Sequence, residues 1–299
     1  MTVAAGCLWL GGLAAGQGPA QWERIEAPAR EFFRRVQADA AGNVWVLGDR
    51  VHQRRADGSW AAPVSIPGEG WGDMAVVRDD LMFGVSPLGE SIEVMRAGTW
   101  SRLAALPSCI SQRATIVMLG RTVAMGCPYY SGLVMWRVDE LSGLQPMGSL
   151  APWDIALIGE DDVVAVGLQG VVRVRRGDSE PVSLDRDTGL RLIWASLTHI
   201  VTLDGAGMLH HASWDSRTNR VGTWTTHRVP GAARLNRLWG SRADNLFAVG
   251  QGGVILHFDG TSWTTMASGV TVNLQSISGG GRYVWAAGDD GTILRLESR

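Results

Sequence analysis

A period of roughly forty residues runs through this chain, and it restricts the fold more than any other feature. The last quarter shows it plainly. Leu235–Trp263 reads LNRLWGSRADNLFAVGQGGVILHFDGTSW, and Leu274–Leu296 reads LQSISGGGRYVWAAGDDGTILRL. Phe247-Ala248-Val249-Gly250 aligns with Trp285-Ala286-Ala287-Gly288, at an offset of 38 residues. More diverged copies precede them: Asn43-Val44-Trp45-Val46-Leu47-Gly48, Asp80-Leu81-Met82-Phe83-Gly84, Thr122-Val123-Ala124-Met125-Gly126, Val163-Val164-Ala165-Val166-Gly167 and Ile200-Val201-Thr202-Leu203-Asp204. Seven copies result, spaced 36 to 46 residues apart.

Each copy carries four short apolar pieces. In the sixth they are Leu235–Trp239, Asn245–Val249, Val254–Phe258 and Trp263–Met266, separated by Ser241-Arg242-Ala243-Asp244, Gly250-Gln251-Gly252-Gly253 and Asp259-Gly260-Thr261-Ser262. Runs this short, rich in β-branched residues and Trp and bounded by turn residues, are strands. Four strands in each repeat of about forty residues define a propeller blade. The expectation is therefore an all-β chain: a seven-bladed β-propeller of four-stranded antiparallel blades, of the WD40/YVTN-like kind. The seventh copy stops after its third strand at Leu296. Gln21-Trp22-Glu23-Arg24-Ile25 has the Trp-led form of the outer strands at Ser262-Trp263, Ser59-Trp60 and Thr99-Trp100. The N-terminal strand is thus expected to complete the C-terminal blade and close the ring, which removes an open edge. Blade three, with its Pro128-Tyr129-Tyr130 turn, is the hardest copy to count. The 14 Trp recur at matching places in the repeat, which makes packing their first role.

The motif WGSRADNLFAVGQGGVILHFDGTSW is similar to repeats of bacterial propellers in the BNR-like and photosystem II assembly factor-like group. The match is strong over residues 231–299 and faint elsewhere. The resemblance implies an exported scaffold that holds protein partners or glycans, with no shared chemistry. Asp259-Gly260-Thr261-Ser262-Trp263 shares the Asp, Gly and Trp of the sialidase Asp-box but not its spacing, so no sialidase assignment follows.

Residues 1–20 form a signal-like or lipoprotein-like leader, and residues 21–299 form the single propeller domain. Thr2–Gly16 is apolar and small, with cleavage-like sequences at Ala14-Ala15-Gly16 and Gly18-Pro19-Ala20. No Arg precedes Arg24, which fits either an upstream start or a weak signal peptide. Ala4-Ala5-Gly6-Cys7 resembles a lipobox and makes Cys7 a candidate for lipidation. An exported location follows: periplasmic, outer-membrane-anchored or extracellular. Cys109 and Cys127 flank a predicted hairpin, Ala114–Leu119 and Thr122–Gly126. Either they form a disulfide, which suits an oxidising compartment, or they are two buried thiols. No other stretch has the roughly 20 apolar residues of a membrane span.

The formal net charge of −2 opposes a broad nucleic-acid or anionic-membrane footprint. All 27 basic residues are Arg. That suits carboxylate or phosphate recognition, but codon bias explains arginines scattered this widely. No nucleophile elbow, P-loop or His-Glu-x-x-His motif occurs. His210 and His211 are neighbours in a strand and face opposite sides, so they cannot easily share a metal. Asp161-Asp162 and Asp289-Asp290 read as turn acids. No catalytic set, metal site or cofactor is expected.

Propeller ligands bind where inner strands meet the central channel. The inner-strand starts read Phe33-Arg34-Arg35, Trp71-Gly72-Asp73, Gln112-Arg113, Trp153-Asp154, Leu190-Arg191, Asn236-Arg237 and Gln275-Ser276. If their side chains converge, Arg34, Arg35, Trp71, Arg113, Trp153, Arg191 and Arg237 form a cationic, aromatic-rimmed cup for a carboxylate, a C-terminus or an acidic sugar. Otherwise the side chains alternate outward or pair with Asp73 and Asp154. The leading functional expectation is a noncatalytic binding scaffold, monomeric, with an envelope protein or a glycan as partner. The alternatives are a sialidase- or lyase-like enzyme using Asp73 or Asp154 with Arg34 and Arg191, and a lectin stacking sugars on Trp71 and Trp153.

Overall fold

The computed structural model describes residues 21–298 except 69, 88–89, 106–113, 129–131, 141–144, 147–149, 168, 179–181, 185–188 and 230–233. Seven separate antiparallel sheets follow one another along the chain. Their inner strands are Arg35–Ala38, Asp73–Arg78, Thr115–Leu119, Pro152–Gly159, Leu190–Ala195, Leu235–Arg242 and Leu274–Gly280, in blades 1 to 7. Six sheets have four strands. Blade 5 has five, because its long third strand, Met208–Asp215, pairs with Arg220–Val221 at one end and Thr225–Arg228 at the other. Successive inner strands touch around the circle, and blade 7 touches blade 1. The seven-bladed, four-stranded architecture expected from the repeat is the architecture observed.

The second strand of each blade explains why the repeat is so apolar. Val44–Leu47, Leu81–Val85 and Thr122–Cys127 are buried at every position. A strand covered on both faces reads as a continuous hydrophobic run instead of an alternating one. The core is accordingly divided into seven clusters, one between each pair of neighbouring blades. In the cluster between blades 2 and 3, Phe83 meets Trp136 edge to face at 5.5 Å.

Polar side chains on the inner strands tie neighbouring blades together at several boundaries. Gln37 donates to the Val76 carbonyl (2.7 Å) and accepts from the Val76 amide (2.9 Å). Trp194 Nε1 donates to Gly240 (2.9 Å), Asn236 Nδ2 to Leu274 (2.9 Å), and the Ala38 amide to Ser278 Oγ (3.3 Å). Two tryptophans do the same at the rim: Trp100 Nε1, on the outer strand of blade 2, donates to Ser65 (2.9 Å), and Trp60 Nε1, just before the outer strand Val64–Ser65 of blade 1, donates to Glu26 (3.3 Å). The packing role expected of Trp is what these positions show. The near-Asp-box is a turn: Asp259 Oδ1 accepts from the Thr261 and Ser262 amides at 2.9 Å, and Gly260 supplies a φ of 92°.

The ring closes as the Trp22 pattern implies. Glu23–Ile25 pairs antiparallel with Ile293–Arg295 and becomes the outer strand of blade 7. Arg295 Nη2 lies 2.6 Å from Glu23 Oε2 across that pair. The flanking side chains point to both sides. Trp22 joins the cluster between blades 6 and 7, where its ring meets Phe247 edge-on at 6.4 Å. Ile25 joins the cluster between blades 7 and 1. Among the described residues no helix is long and apolar enough to cross a membrane.

Trp22 therefore holds the seam. Trp22→Ala should destabilise the protein by about 3 kcal/mol, the low end for a large aromatic removed from a core, because Trp22 keeps 9% of its surface exposed. Urea unfolding measures it. A loss below about 1 kcal/mol would mean that the N-terminal strand does not close the ring.

Candidate functional site

Strand register brings one residue from every blade to each of two levels of the channel. At the inner level lie Arg35, Asp73, Thr115, Asp154, Leu192, Arg237 and Ser276, each paired with the end of its blade's second strand. At the outer level lie their predecessors: Arg34, Gly72, Ala114, Trp153, Arg191, Asn236 and Gln275. Strict alternation would send two consecutive residues to opposite faces. A register slip prevents this. Pairing skips one residue at Trp153, Arg191, Asn236 and Gln275, the two-against-one pattern of a β-bulge. Bulges re-aim side chains and recur beside binding sites. In blades 1 and 2 the Arg34 and Gly72 amides donate to Leu47 and Val85 at 2.8 Å, the residues already paired with Arg35 and Asp73.

The whole outer level and all of the inner level except Arg35 and Ser276 line one cavity of about 450 Å³. Its wall includes Arg34, Arg191 and Arg237 but also Asp73 and Asp154, with Phe32, Trp153, Asn236 and Gln275 among the uncharged residues. Arg34 lies over the exposed Phe32 ring at 5.3 Å, and its Nη1 donates to Gly48 at 3.0 Å. Its nearest carboxylate, on the exposed Asp49, is 3.9 Å away. Arg191 lies over the Trp153 ring at 5.3 Å. Among the described residues no carboxylate pairs with Arg191.

The floor differs from a purely cationic cup. Arg237 Nη2 lies 2.9 Å from Asp73 Oδ2, and its Nη1 lies 3.7 Å from Asp154 Oδ1. Arg35 Nε lies 3.4 Å from Asp73 Oδ1, and Arg35 lies behind Asp73, off the cavity wall. Both carboxylates also accept backbone amides from their own and the next blade. Asp73 takes Met74 (2.9 Å) and Ile116 (3.2 Å); Asp154 takes Ile155 and Ile193, both at 3.0 Å. One side chain thus bridges blades 2 and 3, and the other bridges blades 4 and 5. Arg237 of blade 6 spans the channel between them.

Four of the seven residues expected at the mouth, Arg34, Trp153, Arg191 and Arg237, line this cavity. Trp71 does not. It is buried in the cluster between blades 1 and 2, edge-on to Trp100 at 4.6 Å. The missing side chain of Gly84 is what admits it, since a Cβ there would lie 2.0 Å from the indole. Burying an indole in such a slot outweighs exposing it at a rim. Arg113, Cys109 and Cys7 lie outside the described residues. Cys127 is fully buried and disulfide-bonded. His210 turns to Asp204 (3.0 Å), whereas His211 packs on His199 and Phe258, so the two imidazoles do face opposite sides.

Burial drives Asp154 up to about 7, and the Asp73 charge adds to it; the Ile193 and Ile155 amides and Arg35 oppose the rise. Burial also raises Asp73, against the pull of Arg35 and the Met74 and Ile116 amides.

No family model matches this chain, and no curated protein does. Solved structures do. YCF48 bound to D1 peptide is 15% identical, covering 95% of this chain and 97% of that one, at a TM-score of 0.69. A catalytically inactive virginiamycin B lyase from Staphylococcus aureus with quinupristin is 13% identical, covering 94% and 100%, at 0.68. The WD40 β-propeller domain of Doa1 is 12% identical, covering 93% and 97%, at 0.68. At such identities the likeness is one of fold.

Asp154 binds its proton more tightly in the folded chain than in the unfolded one. Its stabilising contribution is therefore complete below the ordinary carboxylate range and is lost as pH rises through about 7. Burial lowers His211 and His257, so they oppose acid from about the ordinary histidine value downward, and comparison with Asp154→Asn, which keeps both, separates their effect from that of Asp154. Between pH 8 and pH 6 the wild type should gain about 1 kcal/mol from Asp154 in urea unfolding. Asp154→Asn should lack that gain. An equal slope in both proteins would show that Asp154 does not titrate in this window.

Proposed function

We propose that this protein is a noncatalytic binding scaffold whose channel mouth receives a carboxylate, most simply the C-terminus of a protein partner. The observation that carries it is the pair Arg34 and Arg191. Both line one cavity and both stack on an aromatic ring; Arg34 has a long ion pair, 3.9 Å to the exposed Asp49, and no carboxylate among the described residues pairs with Arg191. A planar guanidinium braced this way is suited to bidentate carboxylate recognition. Asn236 and Gln275 on the same wall are held in place by their bonds to Leu274 and Asp289. The neighbour YCF48 holds a D1 peptide on the same fold, which is in keeping with a peptide ligand here. The apolar leader supports an exported location, periplasmic, anchored through Cys7 or extracellular. A bond between Cys109 and Cys127 would suit that compartment.

A sugar-stacking lectin is disfavoured by the placement of its aromatics. Trp71 is buried, and the Arg191 guanidinium covers the Trp153 ring. An enzymatic reading draws on one observation, the buried Asp154 raised to about 7 beside Asp73, because such a group can act as a general acid or base. Turnover of glycans lost in Asp154→Asn would favour it.

The test uses immobilised protein, an envelope fraction and peptides with free or amidated C-termini. Wild type should retain a free-acid species, and Arg34→Glu/Arg191→Glu should bind it at least tenfold more weakly. Equal binding of the amidated peptide, or undiminished binding by the double variant, would overturn the assignment.

A further inference from the structure

We infer that the cavity takes up its carboxylate ligand together with one proton, which lodges on Asp154 and turns the Nη1 side of Arg237 over to the ligand. The inference rests on the carboxylate reading given above and concerns how the floor of that site responds.

The two floor carboxylates are unequally held. Asp73 accepts from Met74, Ile116 and Arg237 Nη2, with Arg35 Nε at 3.4 Å, so its negative charge is shared with two guanidiniums. Asp154 accepts from two amides, and its nearest guanidinium nitrogen is Arg237 Nη1 at 3.7 Å. That is too long for a charge-assisted hydrogen bond. On this geometry a proton entering the floor reaches Asp154 first; burial raises both carboxyl groups, Asp154 to about 7.

Protonation keeps the existing contacts. A neutral carboxyl group can still accept the Ile155 and Ile193 amides, because its oxygens have lone pairs to spare. It gains an O–H that needs an acceptor, and the Asp73 carboxylate across the floor is already engaged by Met74, Ile116, Arg237 and Arg35. An incoming carboxylate would supply that acceptor and would also take the Nη1 donor that Asp154 no longer attracts. The proton comes from solvent, no covalent bond within the ligand changes, and the bound state carries one negative charge on the ligand in place of the one on Asp154.

The surrounding charges agree. Arg35 of blade 1 and Asp73 of blade 2 act on Asp154 through their charges, Arg237 of blade 6 lies 3.7 Å from it, and Arg191 of blade 5 lines the same cavity. Ala114 and Thr115 of blade 3 and Gln275 of blade 7 are uncharged. With Asp154 ionised, three guanidiniums face two carboxylates on the wall; with it neutral they face one.

The probe is acetyl-trialanine with a free C-terminus, titrated by NMR from pH 5.5 to pH 8.5 with its amide as control. Wild type should bind the acid about tenfold more tightly at pH 6 than at pH 8, the factor that a group titrating near 7 permits. Asp154→Asn should hold the tighter affinity throughout. Calorimetry of the wild type in two buffers of different ionisation enthalpy should show nearly one proton taken up per ligand at pH 8 and almost none at pH 5.5, and it does not depend on the variant folding. Binding that needs Arg34 and Arg191 but is flat with pH, or takes up no proton, overturns the inference and leaves the carboxylate site intact. No discrimination between acid and amide at any pH overturns both.

Discussion

Everything in this molecule depends on each sheet being buried on both faces by its neighbours. A single four-stranded blade has no side on which to expose a strand such as Val44–Leu47 or Val163–Val166 to water. Seven such sheets in an open row would leave two bare faces, and only closure covers them. The short Glu23–Ile25 strand provides that closure. Its three paired residues fix the last sheet, while Trp22 and Ile25 plug the clusters on its two sides.

The same closure creates the site. Seven inner strands converge on one axis, and whatever their first residues carry must share a narrow space. Burying four guanidinium and carboxylate groups there would be costly if they were unpaired. Asp73 and Asp154 offset the cost by accepting amides across blade boundaries, and Arg237 by reaching both of them. The inner level therefore belongs to the architecture as much as to binding. The outer level, where Arg34 and Arg191 rest on aromatic rings, is where charge remains for a ligand. Division of labour between adjacent residues is possible because bulges let both reach the channel.

The blades were legible in the sequence because period, turn residues and apolar runs are local properties. Phe247–Gly250 and Trp285–Gly288 announce equivalent strands without any partner being known. The mouth was legible at Arg34, Trp153, Arg191 and Arg237 for the same reason, since each opens an inner strand. Trp71 opens one too, yet its fate is decided by Gly84 on the neighbouring strand, a missing side chain whose effect no linear pattern reveals. The bulges at Trp153, Arg191, Asn236 and Gln275 are relations of register between two strands, so alternation and convergence could not be told apart beforehand. Pairing of Asp73 and Asp154 with arginines was one of the readings open from sequence. Their bonds to Ile116 and Ile193 were not, because they join blades whose facing register appears only in three dimensions.

Because the chain has no lysine, every permanently charged side-chain cation is an arginine whose Nε–H can be followed by NMR. Titration with a free-acid peptide should shift Arg34, Arg191 and Arg237 and leave rim arginines such as Arg24 and Arg295 unmoved. Shifts concentrated at the rim, with the channel arginines silent, would contradict a carboxylate site at the mouth of the ring.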